Sequence, residues 1–216
     1  MLGILRVLTT ADENVLLEHG KKMHEFARVS SITHCIPNQP NGIYNDESEQ
    51  EANPQIIKLA KWMEEELNVD AITISCAADP AIEECRAAVS IPVLGAGLCG
   101  AHTACMAGRK VGVIGITEES PGKIIKELGE HYHSYAFSKK LRKTTDLFAE
   151  DAKEELINVA RGLIDSGADV ILFACTGFST IGLKDYFVQY LTVPIVDLIE
   201  AQAIAYQLIG QEGGYQ

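Results

Sequence analysis

Basic residues are scarce in this chain. Its 18 lysines and arginines stand against 30 aspartates and glutamates, which gives a formal net charge of −12 and an isoelectric point near 4.9. Proteins that bind nucleic acid or an anionic membrane surface need a basic patch, so this balance argues against both kinds of partner.

Long uninterrupted hydrophobic segments are also absent. The longest stretch without a formal charge, residues 87–108, contains Pro92 and four glycines, which would break a membrane-spanning helix. The first apolar stretch leads directly into Asp12 and Glu13, whereas a secretory signal peptide needs a basic start and a longer apolar segment. The sequence therefore predicts a cytoplasmic protein without a membrane partner.

Signals for disulfides, metals and cofactors are weak. Six cysteines would allow three disulfides in a secreted protein, but a cytoplasmic protein keeps its thiols reduced. Cys99, His102 and Cys105 follow one another at intervals of three, which is not a familiar zinc spacing. The glycine-rich segment at residues 95–100 lacks the acidic partner of a dinucleotide-binding unit. We therefore predict no metal and no cofactor.

The chain contains one sequence pattern that occurs twice. Residues 70–80 and 169–179 each carry an Asp six positions before a Cys, with five apolar or small residues between them. Such a run is typical of a buried strand in a parallel sheet. Cys76 and Cys175 are thus predicted to lie at the carboxyl ends of equivalent strands, where open α/β sheets bind ligands. A helix is expected to follow each, capped by Asp79-Pro80 in the first copy and Ser179-Thr180 in the second.

The repetition extends beyond the cysteines. Ile-Pro-Val-Leu at residues 91–94 follows the first copy as Val-Pro-Ile-Val at residues 193–196 follows the second. Alternating strands and helices predict an α/β fold of two pseudo-symmetric lobes with parallel sheets. We place the lobes at residues 1–98 and 99–197, with a C-terminal helix, residues 198–216, packing back on the first lobe.

A long loop and a helix are predicted between the second and third strands. Residues 37–49 contain two prolines, an Asn-Gly pair and an acidic run, and the next helix is predicted to begin at Pro54. Because this loop is long for a compact domain, we interpret it as a lid or as a contact between copies in a homo-oligomer.

Two thiols facing each other across a cleft suit proton transfer at a stereocentre. One thiolate removes a proton from carbon, and the opposite thiol donates a proton to the other face. A neighbouring carbonyl must acidify the carbon, and its oxygen then needs hydrogen-bond donors. Thr117 is taken to match Thr9 in the second repeat. The predicted substrate-binding residues are Thr9, Thr10, Ala77, Asp79, Thr117, Thr176 and Gly177.

The paired motifs resemble the Asp/Glu/hydantoin racemase superfamily, nearest to its hydantoin racemase-like members, over nearly the whole chain. They are Cys-Ala-Ala-Asp-Pro with Ile-Pro-Val-Leu-Gly downstream, and Cys-Thr-Gly with Val-Pro-Ile-Val-Asp downstream. The resemblance implies two flavodoxin-like lobes, each with a mainly parallel four-stranded sheet, and an active-site cleft between them. It also implies cofactor-independent racemisation, with Cys76 and Cys175 as the acid/base residues.

The substrate is less well specified than the chemistry. The turn at residues 9–12, Thr-Thr-Ala-Asp, departs from the Asn-Pro-Asn-Thr-like turn of hydantoin racemases, and both cysteine motifs depart from those of glutamate racemases. No lysine or arginine lies at residues 9–14, 74–79 or 173–179, which favours a hydantoin over an amino acid such as aspartate. Alternative interpretations are an enzyme like maleate isomerase or arylmalonate decarboxylase, or a two-lobed binding protein without catalysis.

Overall fold

Two four-stranded sheets form the framework of the computed structural model, which describes residues 1–210. The first sheet has the order β2-β1-β3-β4 and contains β1 (Leu2–Arg6), β2 (Ser31–Cys35), β3 (Ala71–Ser75) and β4 (Val93–Gly95). The second has the order β6-β5-β7-β8 and contains β5 (Val111–Gly115), β6 (Tyr132–Phe137), β7 (Val170–Phe173) and β8 (Ile195–Val196). All neighbouring strands are parallel, and the matching orders confirm two pseudo-symmetric α/β lobes.

Helices connect the strands within and between the sheets. They are α1 (Glu13–Ala27), α2 (Asp46–Leu67), α3 (Ile82–Ala88), α4 (Ala96–Ala107), α5 (Gly122–Leu128), α6 (Ala152–Asp165), α7 (Gly177–Thr180), α8 (Leu183–Phe187) and α9 (Leu198–Ile209), with 3₁₀ turns at Gly129–His131 and Thr144–Phe148. None of the helices within residues 1–210 is both long enough and apolar enough to cross a membrane.

The strand register shows which residues correspond between the lobes. Arg6 on β1 lies beside Ser75, the residue before the first cysteine. Ile114 on β5 lies beside Phe173, two residues before the second cysteine. One step further along the second sheet, Gly115 is therefore the counterpart of Arg6.

The last helix packs between the lobes. Buried Ile199 and Ala203 on α9 pack against Leu2 and Ile4 of β1, and α9 also contacts α1 and α4. The last six residues of the predicted helix 198–216 lie outside the described residues. The predicted boundary between residues 98 and 99 falls inside α4, and the division into domains stays a prediction.

Helix α2 begins eight residues earlier than predicted. The side chain of Asn45 accepts a hydrogen bond from the Ser48 backbone N–H at 2.9 Å, and the Ser48 hydroxyl accepts one from the Asn45 N–H at 3.1 Å. This reciprocal cap starts the helix at Asp46, and Pro54 lies inside it. The prediction of a helix start at Pro54 was wrong because this cap was not recognised, and residues 46–49 of the predicted loop are helical.

The two predicted helix caps after the cysteines are also wrong. Helix α3 begins at Ile82 after two residues in the left-handed region, Asp79 and Ala81, both with φ of 50°. In the second lobe, Ser179 lies inside α7, and its hydroxyl donates to the buried carboxylate of Asp197 at 2.6 Å. The Ser179 side chain therefore bonds a residue 18 positions later, and the Asp79 side chain bonds the backbone N–H groups of residues 97 and 98.

Candidate active site

A cavity of about 930 Å³ lies between the two lobes. Its walls are formed by the segments that follow β1 and β3 in the first lobe and β5 and β7 in the second, with the segment before α2 at its rim. These are the carboxyl ends of the parallel strands, where α/β sheets bind ligands.

The structure brings both predicted cysteines to this cavity. Cys76 directly follows β3 and is partly exposed, and Cys175 follows β7 by two residues and is 8% exposed. Both thiols are free. The Thr176 hydroxyl donates to the Ser75 carbonyl at 3.2 Å, so the two cysteine-bearing turns are in direct contact across the lobes.

The surroundings of Cys76 oppose its ionisation. Burial is the largest cause and raises the pKa of the Cys76 thiol to about 12, although the backbone N–H of Ala78 acts in the other direction. The negative charges of Asp79 and Glu49 raise this pKa further, as does Cys175.

The surroundings of Cys175 are more favourable to a thiolate. Burial again is the largest cause and raises the pKa of the Cys175 thiol to about 11. The backbone N–H groups of Gly177 and Phe178 lower this pKa, and so does the positive charge of Arg6. The two thiols thus occupy equivalent positions in different electrostatic environments.

Basic side chains at the cavity were missed by the sequence analysis. Arg6 and Arg142 both line it, and so does Lys123. Arg142 pairs with Glu118 at 2.9 Å, and the Lys123 ammonium donates to the Asp79 carbonyl at 2.6 Å. All three lie outside residues 9–14, 74–79 and 173–179, the segments nearest the two cysteines and the first turn in the sequence. The available signal was that Arg6 is the charged residue within the otherwise uncharged run at residues 4–9.

Two of the four predicted threonines lie at the cavity. Thr117 and Thr176 line it, whereas Thr9 and Thr10 do not. The Thr9 hydroxyl donates to the Ile36 carbonyl at 2.6 Å, and the Thr10 hydroxyl accepts from the Asp12 N–H at 3.1 Å.

The proposed match between the two repeats is wrong by one residue. Thr9 lies three residues beyond the end of β1, while Thr117 lies two residues beyond the end of β5. The strand register therefore matches Thr117 with Leu8.

Of the three remaining predicted substrate-binding residues, one lies at the cavity and two do not. Ala77 lines the cavity, whereas Asp79 and Gly177 are buried and do not line it. The Asp79 carboxylate accepts hydrogen bonds from the N–H groups of Gly97 and Leu98, at 2.9 and 2.7 Å, and so caps α4. Burial raises the pKa of Asp79 to about 6 despite these bonds.

Gly177 is required by close packing beside the second thiol. A Cβ atom at this position would lie 2.8 Å from Leu147 Cδ1 and 3.4 Å from Cys175 Sγ. Its role is thus to let the chain turn closely behind the cysteine.

A buried histidine links the two cysteine-bearing turns. His19 Nδ1 lies 2.6 Å from the Ser75 hydroxyl and Nε2 lies 3.1 Å from the Thr180 hydroxyl, and the side chain is fully buried. Burial is the largest cause that lowers the pKa of His19 well below its ordinary value, so the ring is neutral near pH 7. Sequence analysis missed this residue because its partners are distant in sequence.

Potential metal ligands do not gather in the described part of the chain. Within residues 1–210, no group of three or more His, Cys, Asp or Glu side chains is arranged to hold a metal ion.

Comparison with a family model gives a match over most of the chain. The model described as Asp/Glu/Hydantoin racemase matches residues 18–205. No curated protein matches the chain significantly.

Solved structures show the same fold at low sequence identity. Allantoin racemase from Klebsiella pneumoniae has a TM-score of 0.82 at 18% identity, covering 96% of this chain and 86% of the other. Glutamate racemase from Bacillus anthracis has a TM-score of 0.72 at 19% identity, covering 97% and 80%. A mutant of arylmalonate decarboxylase in a liganded form has a TM-score of 0.68 at 13% identity, covering 98% and 93%. At these identities the likeness establishes the two-lobed fold.

Proposed function

The chain belongs to the Asp/Glu/hydantoin racemase family and is an isomerase of the racemase type, and on this premise we propose that it inverts a carbonyl-flanked stereocentre with two cysteines. Cys76 and Cys175 act on opposite faces of the substrate carbon. The observation that carries the proposal is that both thiols, at equivalent strand ends of the two lobes, line one cavity.

The reaction is a pair of proton transfers. A thiolate on one side takes the proton from carbon and becomes a thiol, which leaves a planar carbanion conjugated with the carbonyl. The thiol on the other side gives its proton to the opposite face and becomes a thiolate. One proton is removed and one is returned, so the chemistry requires no cofactor.

The oxygen of the substrate carbonyl becomes negative during the reaction. Ala77 and Thr176 line the cavity directly after the two cysteines, and we assign their backbone N–H groups as donors to this oxygen. Thr117 is the further donor or acceptor that the cavity offers from the second lobe.

We propose a hydantoin or an amino acid as substrate, with the hydantoin first. Acidic side chains outnumber basic ones among the residues that line the cavity, which include five carboxylates (Asp46, Glu47, Glu49, Glu118 and Glu119) and three cations (Arg6, Lys123 and Arg142). A dicarboxylate such as aspartate would meet these charges, whereas a neutral ring would not. The fold shared with an allantoin racemase supports the same order.

A screen of enantiopure substrates tests this proposal. Each enantiomer of several hydantoins, aspartate and glutamate is incubated with the enzyme in the presence of a metal chelator, and loss of optical rotation is followed. The matched control is the double variant Cys76→Ser/Cys175→Ser. We expect racemisation of a hydantoin or amino acid by the wild type and none by the control.

Three outcomes would contradict the proposal. The double variant could racemise as fast as the wild type, or activity could be lost with the chelator and restored by zinc. Binding of a substrate without turnover in either direction would indicate a binding protein instead. Racemisation of aspartate with all hydantoins inert would reverse the proposed order of substrates.

A further inference from the structure

The turn that carries Cys76 is held by two hydrogen bonds from the other lobe. On one side of the cysteine, the Thr176 hydroxyl donates to the Ser75 carbonyl at 3.2 Å. On the other side, the Lys123 ammonium donates to the Asp79 carbonyl at 2.6 Å. Both donors belong to the second lobe, Thr176 after β7 and Lys123 in α5. The position of the first cysteine therefore depends on contacts that the second lobe makes.

Asp79 closes this turn in a strained backbone conformation. It is a non-glycine residue in the left-handed region, with φ of 50°, a conformation that persists only where the surrounding contacts impose it. Its N–H donates to the Cys76 carbonyl at 3.1 Å and so closes the turn. Because Asp79 is fully buried, its carbonyl needs a donor inside the protein, and Lys123 supplies one. Loss of this donor should therefore loosen the turn at the residue that closes it.

The segment that carries Cys175 is contacted in an equivalent way from the first lobe. Helix α5 is the counterpart of α1, because each follows the central strand with which its lobe begins. His19 on α1 lies with Nε2 3.1 Å from the Thr180 hydroxyl. The corresponding helix of each lobe thus contacts the cysteine-bearing segment of the other lobe, by Lys123 in one direction and by His19 in the other.

We propose that Lys123 is a positioning residue that holds the Cys76 thiol at the distance from the substrate that proton transfer requires. This inference rests on the proposed function, in which Cys76 and Cys175 act on opposite faces of one carbon. Because the substrate lies between the lobes, contacts between the lobes set how far each thiol stands from it. A displacement of about 1 Å can slow an enzyme reaction about 100-fold. Lys123 therefore affects proton transfer by Cys76 and leaves proton transfer by Cys175 unchanged.

A different role for Lys123 would give a different result. Lys123 lines the cavity together with both cysteines, so its ammonium could instead bind an anionic group of the substrate. Such a contact would serve the substrate whichever thiol takes the proton. Loss of Lys123 would then weaken substrate binding and slow proton transfer by both thiols.

The test must observe the two thiols separately. The equilibrium constant of a racemisation is one, so kcat/KM is the same in both directions and does not reveal which thiol is misplaced. Proteins with a single thiol at the site separate them, because Cys175→Ser keeps Cys76 and Cys76→Ser keeps Cys175. In deuterium oxide the remaining thiolate takes the proton from carbon, exchanges it with solvent and returns a deuteron to the same face. Deuterium at the stereocentre of an active substrate is followed by mass spectrometry.

Lys123→Met is then introduced into both single-thiol proteins. We expect it to lower kcat for exchange between about 10- and 100-fold in the Cys175→Ser protein and to leave exchange in the Cys76→Ser protein unchanged. Lys123→Arg keeps a cationic donor and should restore much of the rate. Lys126→Met, at an exposed position of the same helix, is the matched control and should react like its parent protein.

The result that overturns the proposal is equal slowing in both single-thiol proteins, or a raised KM in both, which would assign Lys123 to substrate binding. Unchanged exchange in both proteins would overturn it as well. If Lys123→Met does not fold, Lys123→Gln, which is shorter and uncharged, takes its place.

A second measurement does not depend on activity. Amide hydrogen exchange of the Lys123→Met protein, with both cysteines present, is compared with that of the wild type by mass spectrometry of proteolytic peptides. We expect faster exchange at residues 76–81 and no change at residues 175–180. Unchanged exchange at residues 76–81 would contradict the proposal. Failure of the substrate screen would refute the proposed racemisation but would leave this result standing, so the two failures are distinguishable.

Discussion

The two lobes share a strand order and differ in the charges around their cysteines. In the first lobe, burial raises the pKa of Cys76, one backbone amide lowers it, and the charges of Asp79 and Glu49 raise it further. In the second, burial raises the pKa of Cys175, whereas two backbone amides and the charge of Arg6 lower it. The repeated backbone gives two thiols equivalent positions, and side chains outside the repeat pattern give them different charged surroundings.

The two lobes also differ in the position of the carboxylate that caps an equivalent helix. In both, a buried carboxylate caps the helix after the fourth strand. In the first lobe this is Asp79, three residues after the cysteine, and in the second it is Asp197, directly before α9. Asp197 additionally accepts from Ser179 at 2.6 Å and pairs with Lys22 at 3.6 Å. Equivalent functions therefore do not imply equivalent residues.

The largest expected effect comes from removing either thiol. Cys76→Ser and Cys175→Ser should each lower the racemisation rate about 10²- to 10⁴-fold, because serine is a far weaker acid than cysteine. The double variant should be no worse than either single one, since both thiols serve one reaction. Loss of optical rotation measures the rates. Additive losses would contradict a shared reaction.

The two capping carboxylates should differ in their contribution to stability. Asp197→Ala leaves the Lys22 ammonium without its partner and should cost about 3–5 kcal/mol. Asp79→Ala removes two hydrogen bonds to backbone amides and should cost about 1–3 kcal/mol. Urea unfolding measures both. A larger loss for Asp79→Ala would reverse the comparison between the lobes.

The counterpart of Arg6 offers a smaller steric test. Gly115→Ala should destabilise by about 1–3 kcal/mol, because the new methyl group displaces Tyr135. Its matched control is Gly162→Ala on α6, where no atom lies within 4 Å of a Cβ, and which should stabilise by about 0.5–1 kcal/mol. The midpoints of urea unfolding should move in opposite directions. Equal shifts would show that the space beside Gly115 is not filled as described.

The smallest effect concerns the histidine that joins the two cysteine-bearing turns. His19 has a lowered pKa in the folded protein, so its stabilising contribution is complete above its ordinary pKa of 6.5 and is lost as the pH falls below it. Asp79, whose pKa is raised to about 6, has the opposite pH dependence. Its contribution to stability is complete below pH 3.8, its ordinary pKa, and is lost as the pH rises through 6.

Replacing His19 separates its pH-dependent contribution to stability from that of Asp79. The difference in the free energy of unfolding between the wild type and His19→Gln should shrink by up to about 2 kcal/mol from pH 6.5 to pH 5. Urea unfolding at several pH values measures it. A constant difference would mean that His19 keeps its ordinary pKa in the folded protein.

The fold and the positions of the two cysteines could be predicted from the sequence, because the patterns that indicate them are local and occur twice. The apolar runs before Cys76 and Cys175 predict buried parallel strands, and the recurrence of the pattern predicts two lobes. Helix α9 begins at Leu198, where the sequence predicts the start of the last helix, because its apolar pattern is continuous from that residue.

The parts that could not be predicted depend on contacts between distant segments. Arg6 on β1 bonds the carbonyls of Val15 and Leu16 on α1, and Asp79 caps a helix 18 residues away. His19 has hydrogen-bond partners 56 and 161 residues away. No local pattern indicates such partners. The roles of the predicted substrate-binding residues stay predictions.

The central claim, that the two thiols serve opposite faces of one carbon, is tested most directly by solvent deuterium exchange. Each enantiomer of an active substrate is incubated in deuterium oxide with Cys76→Ser or with Cys175→Ser, and deuterium at the stereocentre is followed by mass spectrometry. The surviving thiol can remove and return a proton on its own side. The account predicts exchange without inversion for one enantiomer in each variant, and for opposite enantiomers in the two. Exchange of the same enantiomer in both variants, or normal racemisation in either, would contradict it.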